Sequence, residues 1–143
     1  MTQAIDIAGD IAFVLTECRS VAVVGLSNNP ARPSYGVAQY MQAQGWRIVP
    51  INPNETEILG ATCYPSLTEA ARRETFELVN CFRNSADIPP IVDEAIALVG
   101  LAGIKAVWLQ QGIFNAPAAA LAQAAGLTVV QDRCLKIEHR LLQ

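Results

Sequence analysis

The sequence lacks a basic excess. Its 143 residues hold 10 Lys and Arg against 13 Asp and Glu, a net charge of −3. Arg72-Arg73 is the one pair of adjacent cations. Nucleic acid needs clustered cations to neutralise its phosphates, so it is not an expected partner. No apolar run approaches the roughly 20 residues that cross a bilayer, so no membrane is expected either. The first residues include Asp6 and Asp10 and no basic region, which is not a signal-peptide pattern. The cytoplasm is therefore the expected location. Four cysteines, Cys18, Cys63, Cys81 and Cys134, form no C-x-x-C pair, against zinc or thioredoxin-like chemistry. All four are expected to be ordinary reduced thiols.

Charge is scarce and apolar residues are not. Charged residues make up 16% of the chain and hydrophobic ones 52%, the balance of a packed core with strands buried on both faces. The length suits one domain, 1–143. Ile7, Ile11, Val14, Leu15 and Cys18 share a helical face. Short β-branched runs then alternate with helical segments. The strands are expected at 20–26, 46–51, 76–82, 105–109 and 127–130. Between strands two and three, 54–65 reads as irregular, and Ser66 opens a short helix with a capping box to Glu69. Asp87 is placed to cap the helix after strand three, and Gly100 and Gly103 to end it. Residues 132–143 read as a short helix. The alternation predicts an α/β, doubly wound, Rossmann-like sheet of five parallel strands in the order 3-2-1-4-5, with helices on both faces. Trp46 and Trp108 fall in apolar strands and are expected in the core; Tyr35 and Tyr64 are expected to pack.

The stretch from Val21 to Val37 organises the rest. Val21-Ala22-Val23-Val24 breaks at Gly25, a loop of Ser, Asn and Pro with Arg32 follows, and Ser34 begins the helical spacing of Val37, Tyr40 and Met41. A strand, a tight turn and a helix start present free N–H groups to an anion. In open parallel sheets, ligands bind outside the carboxyl ends of the strands. That rule selects the loops 25–35, 52–55, 82–85 and 109–113.

Familiar nucleotide signatures are absent from them. G-x-G-x-x-G fails, because the glycine after Gly25 is Gly36, and Asn52 stands where an NAD site holds an acid. No lysine completes a P-loop. Asn80-Cys81-Phe82 offers no aspartate for phosphorylation at the end of strand three.

Five segments carry a resemblance when taken in order. They are Val23 to Ser27 with Arg32 to Tyr35; Val49-Pro50-Ile51-Asn52-Pro53; Phe82-Arg83-Asn84; Trp108-Leu109-Gln110-Gln111-Gly112; and Asp132-Arg133-Cys134. The chain resembles the small single-domain CoA-binding proteins, and is similar to the CoA-binding domain of the succinyl-CoA synthetase α subunit. The resemblance implies coenzyme A as the cofactor. It implies that Gly25, Ser27, Arg32, Pro33, Ser34 and Tyr35 line its phosphates. Asn52 and Pro53 would flank the adenosine. Phe82, Arg83 and Asn84 would border the pantetheine or pyrophosphate, and Leu109, Gln110 and Gln111 would lie under the pantetheine arm. The family often has a basic residue just after the strand-two proline; here Asn54-Glu55 follows. The synthetases also carry a phosphorylated histidine in a second domain, which 143 residues do not accommodate. The one histidine here, His139, is expected at the surface of the tail.

The expected function is non-catalytic binding of a small molecule, coenzyme A or an acyl-CoA. Two alternatives stand beside it: a domain for NAD or another adenine nucleotide, and an enzyme using Cys134 or Cys81 as a thiol on CoA. No paired carboxylates, Ser-His-Asp set or metal cluster marks catalysis, and the sequence names no protein partner.

Overall fold

Five strands form one wholly parallel sheet because each is short, apolar and covered on both faces. The computed structural model describes residues 6–143. The strands are β1 (Ser20–Val24), β2 (Arg47–Ile51), β5 (Leu78–Cys81), β6 (Ala106–Leu109) and β7 (Thr128–Val130). The pleat sends alternate residues into two cores. Val21, Val23, Leu78, Ala106 and Trp108 face α1 (Ile7–Glu17), α2 (Pro33–Ala43) and α7 (Leu135–Leu141). Ala22, Val24, Val79, Cys81, Val107 and Leu109 face α3 (Leu67–Ala71), α4 (Ile88–Ala97), α5 (Val99–Ala102) and α6 (Ala116–Ala124).

The strand order corrects the expected 3-2-1-4-5. It is β2-β1-β5-β6-β7, which in order of the five main strands is 2-1-3-4-5. The third strand crosses to the far side of β1 and pairs with it in register, Val21 with Leu78 through Val24 with Cys81. Pro50 is the signal that points this way. Proline cannot donate to a ladder and belongs on an edge strand. An order of 3-2-1 would put it between two neighbours, whereas β2 lies at the sheet edge. There the Pro50 carbonyl accepts from the Tyr64 N–H at 3.0 Å, covering part of that edge.

Three local expectations are also corrected. The segment 54–65 contains an antiparallel hairpin, β3 (Glu57–Ile58) with β4 (Ala61–Thr62). Its turn residues Leu59 and Gly60 have φ of 54° and 76°, the positive pair that a two-residue hairpin turn requires. Asp87 makes no capping hydrogen bond to α4; a 3₁₀ turn, Ser85–Asp87, leads into that helix. Gly100 lies inside α5, and the left-handed Gly103 ends it. The Ser66 cap is as expected, its hydroxyl accepting from the Glu69 N–H at 3.1 Å. Trp46 and Trp108 are buried.

His139 is buried rather than at the surface. It comes from α7, lies 2.8 Å through Nδ1 from the Tyr40 hydroxyl of α2, and meets the Tyr40 and Trp46 rings edge-on. Burial, and then the nearby Arg19 charge, pull its pKa below the ordinary 6.5. The folded state therefore holds the ring neutral, while the unfolded chain takes up a proton as pH falls below about 6.5. The stability from this packing is complete above that pH and is lost as pH falls towards the lower folded value. Thermal melts from pH 7.5 to 5.5 should show wild type losing more of its melting temperature than His139→Gln. Parallel curves would mean that the ring is not the titrating group.

Candidate functional site

The reversal of strand order opens a crevice. After β1 the chain turns to α2 on one face; after β5 it turns to α4 on the other. Diverging loops leave room between the carboxyl ends of β1 and β5, the place where doubly wound sheets take ligands. A cleft of about 1040 Å³ lies there, at the upper end of small-molecule sites and suited to a long ligand. Val24, Ile51 and Leu67 give it an apolar floor, and Pro90 and Ile91 of α4 an apolar wall.

Gly25 sets the shape of the turn. Its φ is 84°, and its N–H donates to the Ile51 carbonyl at 3.1 Å, tying the β1 exit to the β2 exit. A Cβ here would lie 3.1 Å from Arg83 Cδ and 3.3 Å from the Phe82 carbonyl oxygen. The β1 and β5 loops therefore approach as closely as they do because the residue is glycine.

Much of the polar loop is spent on holding itself. The Ser34 hydroxyl is buried and accepts from the Ser27 N–H at 3.0 Å. The Ser27 hydroxyl accepts from the Asn29 N–H, and the Asn29 carboxamide from the Ala31 N–H. Asn52 braces two loops: its Nδ2 donates to the Leu26 carbonyl at 2.9 Å, and its Oδ1 accepts from the Asn54 N–H at 2.8 Å.

Seven of the fourteen expected residues line the cleft together: Gly25, Ser27, Asn52, Pro53, Phe82, Arg83 and Asn84. The others do not. Arg32 and Pro33 are exposed beyond the cleft, where Arg32 is the N-cap residue of α2 without a side-chain cap bond, and Tyr35 packs against the α2-face core. Leu109 and Gln110 are buried, and the Gln110 carboxamide accepts from the Leu135 N–H at 3.0 Å, capping α7; Gln111 is exposed.

Acids join these residues, and Glu94 alone among them carried no expectation from the sequence. Glu55, Asp87 and Glu94 line the cleft, and Arg83 is the one cation among its described lining residues. Asp87 Oδ2 lies 3.6 Å from Arg83 Nη2. Glu94 Oε2 accepts from the Thr68 N–H at 3.0 Å and the Thr68 hydroxyl at 2.5 Å, which caps α3 from another helix. Glu55 Oε2 accepts from the Asn28 carboxamide at 3.2 Å.

The thiols divide by burial. Cys81 lies in the centre of the sheet, and burial pushes its pKa up to about 12; the buried Cys18 is raised to about 11, first by desolvation and then by Glu77. Neither supplies thiolate at neutral pH. All four cysteines are free, Cys134 is half-buried, and no cysteine lines the cleft. Among the described residues no group of three His, Cys, Asp or Glu side chains could hold a metal, and no helix is long and apolar enough to cross a membrane.

Fold and cleft together define a doubly wound α/β domain with an open site at its switch point. The chain belongs to the CoA binding domain family, which it matches over residues 19–140. It is 35% identical to the uncharacterized protein YneT of Bacillus subtilis over 130 residues, 91% of this chain and 92% of that one. It is 28% identical to the ADP-forming acetate–CoA ligase II of Archaeoglobus fulgidus, covering 87% of this chain but 16% of the ligase. Among solved structures, a hypothetical protein from Pyrococcus horikoshii OT3 superposes with a TM-score of 0.85 at 34% identity, over all of both chains.

Proposed function

We propose that the protein binds coenzyme A or an acyl-CoA in the cleft between β1 and β5, as a binding module without catalysis of its own. The observation that carries this is the cleft itself. It runs from the β1 turn, where Arg83, Ser27 and Asn84 suit a pyrophosphate, to the apolar wall of α4, which suits an uncharged arm. Membership of the CoA binding domain family supports the same ligand. The absence of a cysteine from the cleft lining favours binding over thiol exchange.

Calorimetric titration with CoA, acetyl-CoA, NAD and ADP tests it. CoA and acetyl-CoA should titrate more tightly than NAD. Arg83→Ala should weaken CoA by about tenfold, since a charge-assisted contact is worth about 1.5 kcal/mol or more. That loss should shrink in high salt, because the Arg83 side chain is half exposed. NAD binding tightest would replace this reading with the dinucleotide one. Turnover of acyl-CoA that Cys134→Ser abolishes would make the protein an enzyme.

A further inference from the structure

The three carboxylates of the cleft are not equivalent. Asp87 has Arg83 beside it, and Glu94 is held by the Thr68 N–H and hydroxyl. Glu55 has only a neutral amide, Asn28 Nδ2 at 3.2 Å, and no cation within 4 Å among the described residues. Its position is specific. It follows β2 by four residues, lines the cleft, and is joined through Asn28 to the β1 loop. In doubly wound folds the pyrophosphate sits at the β1 turn and the adenosine ribose beside the end of β2, where an acid accepts hydrogen bonds from the ribose hydroxyls. Asn52 is less suited to that part, because its carboxamide already braces both loops.

The geometry points to Glu55 as the residue that sets specificity at the ribose, selecting a free 2′,3′-diol over a 3′-phosphate. The inference rests on the cleft being a CoA-type site and adds which form of that ligand it prefers. A ribose hydroxyl donates to the carboxylate in place of Asn28 and satisfies it. A 3′-phosphate offers no such donor when ionised and brings about two negative charges beside one already there. Arg83 does not offset this, because it lies beside Asp87 on the α4 side of the cleft, where it serves the pyrophosphate. The favoured ligand is therefore an adenosine pyrophosphate with a pantetheine arm and an unphosphorylated ribose.

Calorimetric titration of CoA and 3′-dephospho-CoA into wild type, Glu55→Gln and Glu55→Lys tests it. Wild type should bind the dephospho form about tenfold more tightly, a preference that shrinks as salt is raised. Glu55→Gln should bring the two affinities within about threefold of each other. Glu55→Lys should reverse the order, with CoA the tighter ligand. Glu55 lies on a loop and is partly exposed, so both variants should melt with wild type. Equal affinities in wild type, a tighter fit for CoA, or a ratio unmoved by Glu55→Gln would each overturn the inference and leave the CoA site standing. Failure of both ligands to titrate would remove the site, and the inference with it.

Discussion

Gly25→Val should abolish CoA binding and lower the melting temperature by roughly 10 °C. Two costs combine. A β-branched residue at the observed φ of 84° carries backbone strain of about 1–3 kcal/mol. Its side chain would also press on Phe82 and Arg83, since Cβ alone comes within 3.3 Å of the Phe82 carbonyl oxygen. Overpacking of this kind costs about 1–3 kcal/mol. Arg83 Cδ can swing aside, but the Phe82 backbone is held by its N–H bond to the Val24 carbonyl at 2.9 Å. The β1 and β5 loops would have to separate, and their approach shapes the cleft. Gly25→Ala should show the same effects at smaller size. A Gly25→Val protein that melts and titrates like wild type would mean that the turn relaxes without disturbing the β5 loop.

Trp108→Ala should cost about 3–5 kcal/mol, the range for removing a fully buried large aromatic. The side chain is 0% exposed and sits in the middle of the sheet on the α1, α2 and α7 face. Its indole N–H also donates to the Arg133 carbonyl at 2.7 Å, tying the segment after β7 to β6. Urea unfolding should show the midpoint falling with the slope unchanged, because the surface exposed on unfolding is nearly the same. Trp108→Phe should fall between the two proteins: it keeps most of the apolar volume and loses the donor. An alanine variant within 1 kcal/mol of wild type would show that neighbouring side chains close the cavity almost completely.

Of the expected site, the half that lines the cleft sits where strand ends are recognisable from sequence. Gly25, Asn52, Pro53 and Phe82-Arg83-Asn84 each follow a short apolar strand directly, so the end of the strand places them. Arg32, Ser34 and Gln110 are polar loop residues of the same appearance. Whether such a side chain faces a ligand or holds its own backbone depends on which N–H groups the folded loop leaves nearby. Ser34 meets the Ser27 N–H and Gln110 meets the Leu135 N–H, 25 residues away in the chain. Glu55 stood out in the sequence as an acid where the family often has a basic residue, but its place in the cleft did not. A loop acid reads as a solvated charge until the β2 and β1 loops are brought together around it.

The sequence by itself determined the α/β alternation, the parallel sheet and the turn at Gly25, because short β-branched runs, helical periodicity and capping residues act over a few neighbours. Only the tertiary structure decided that the third strand lies beside β1 opposite β2. The backbone hydrogen bonds of a parallel ladder are nearly the same for any apolar strand, so local pattern does not choose the neighbour. The choice comes from burial across the whole sheet. Leu78 to Cys81 are buried throughout and need a strand on each side, whereas β2 has the exposed Arg47 and the donor-less Pro50 and tolerates the edge. That placement of strands positions the cleft and brings Glu55, Asn28 and Arg83 to its walls.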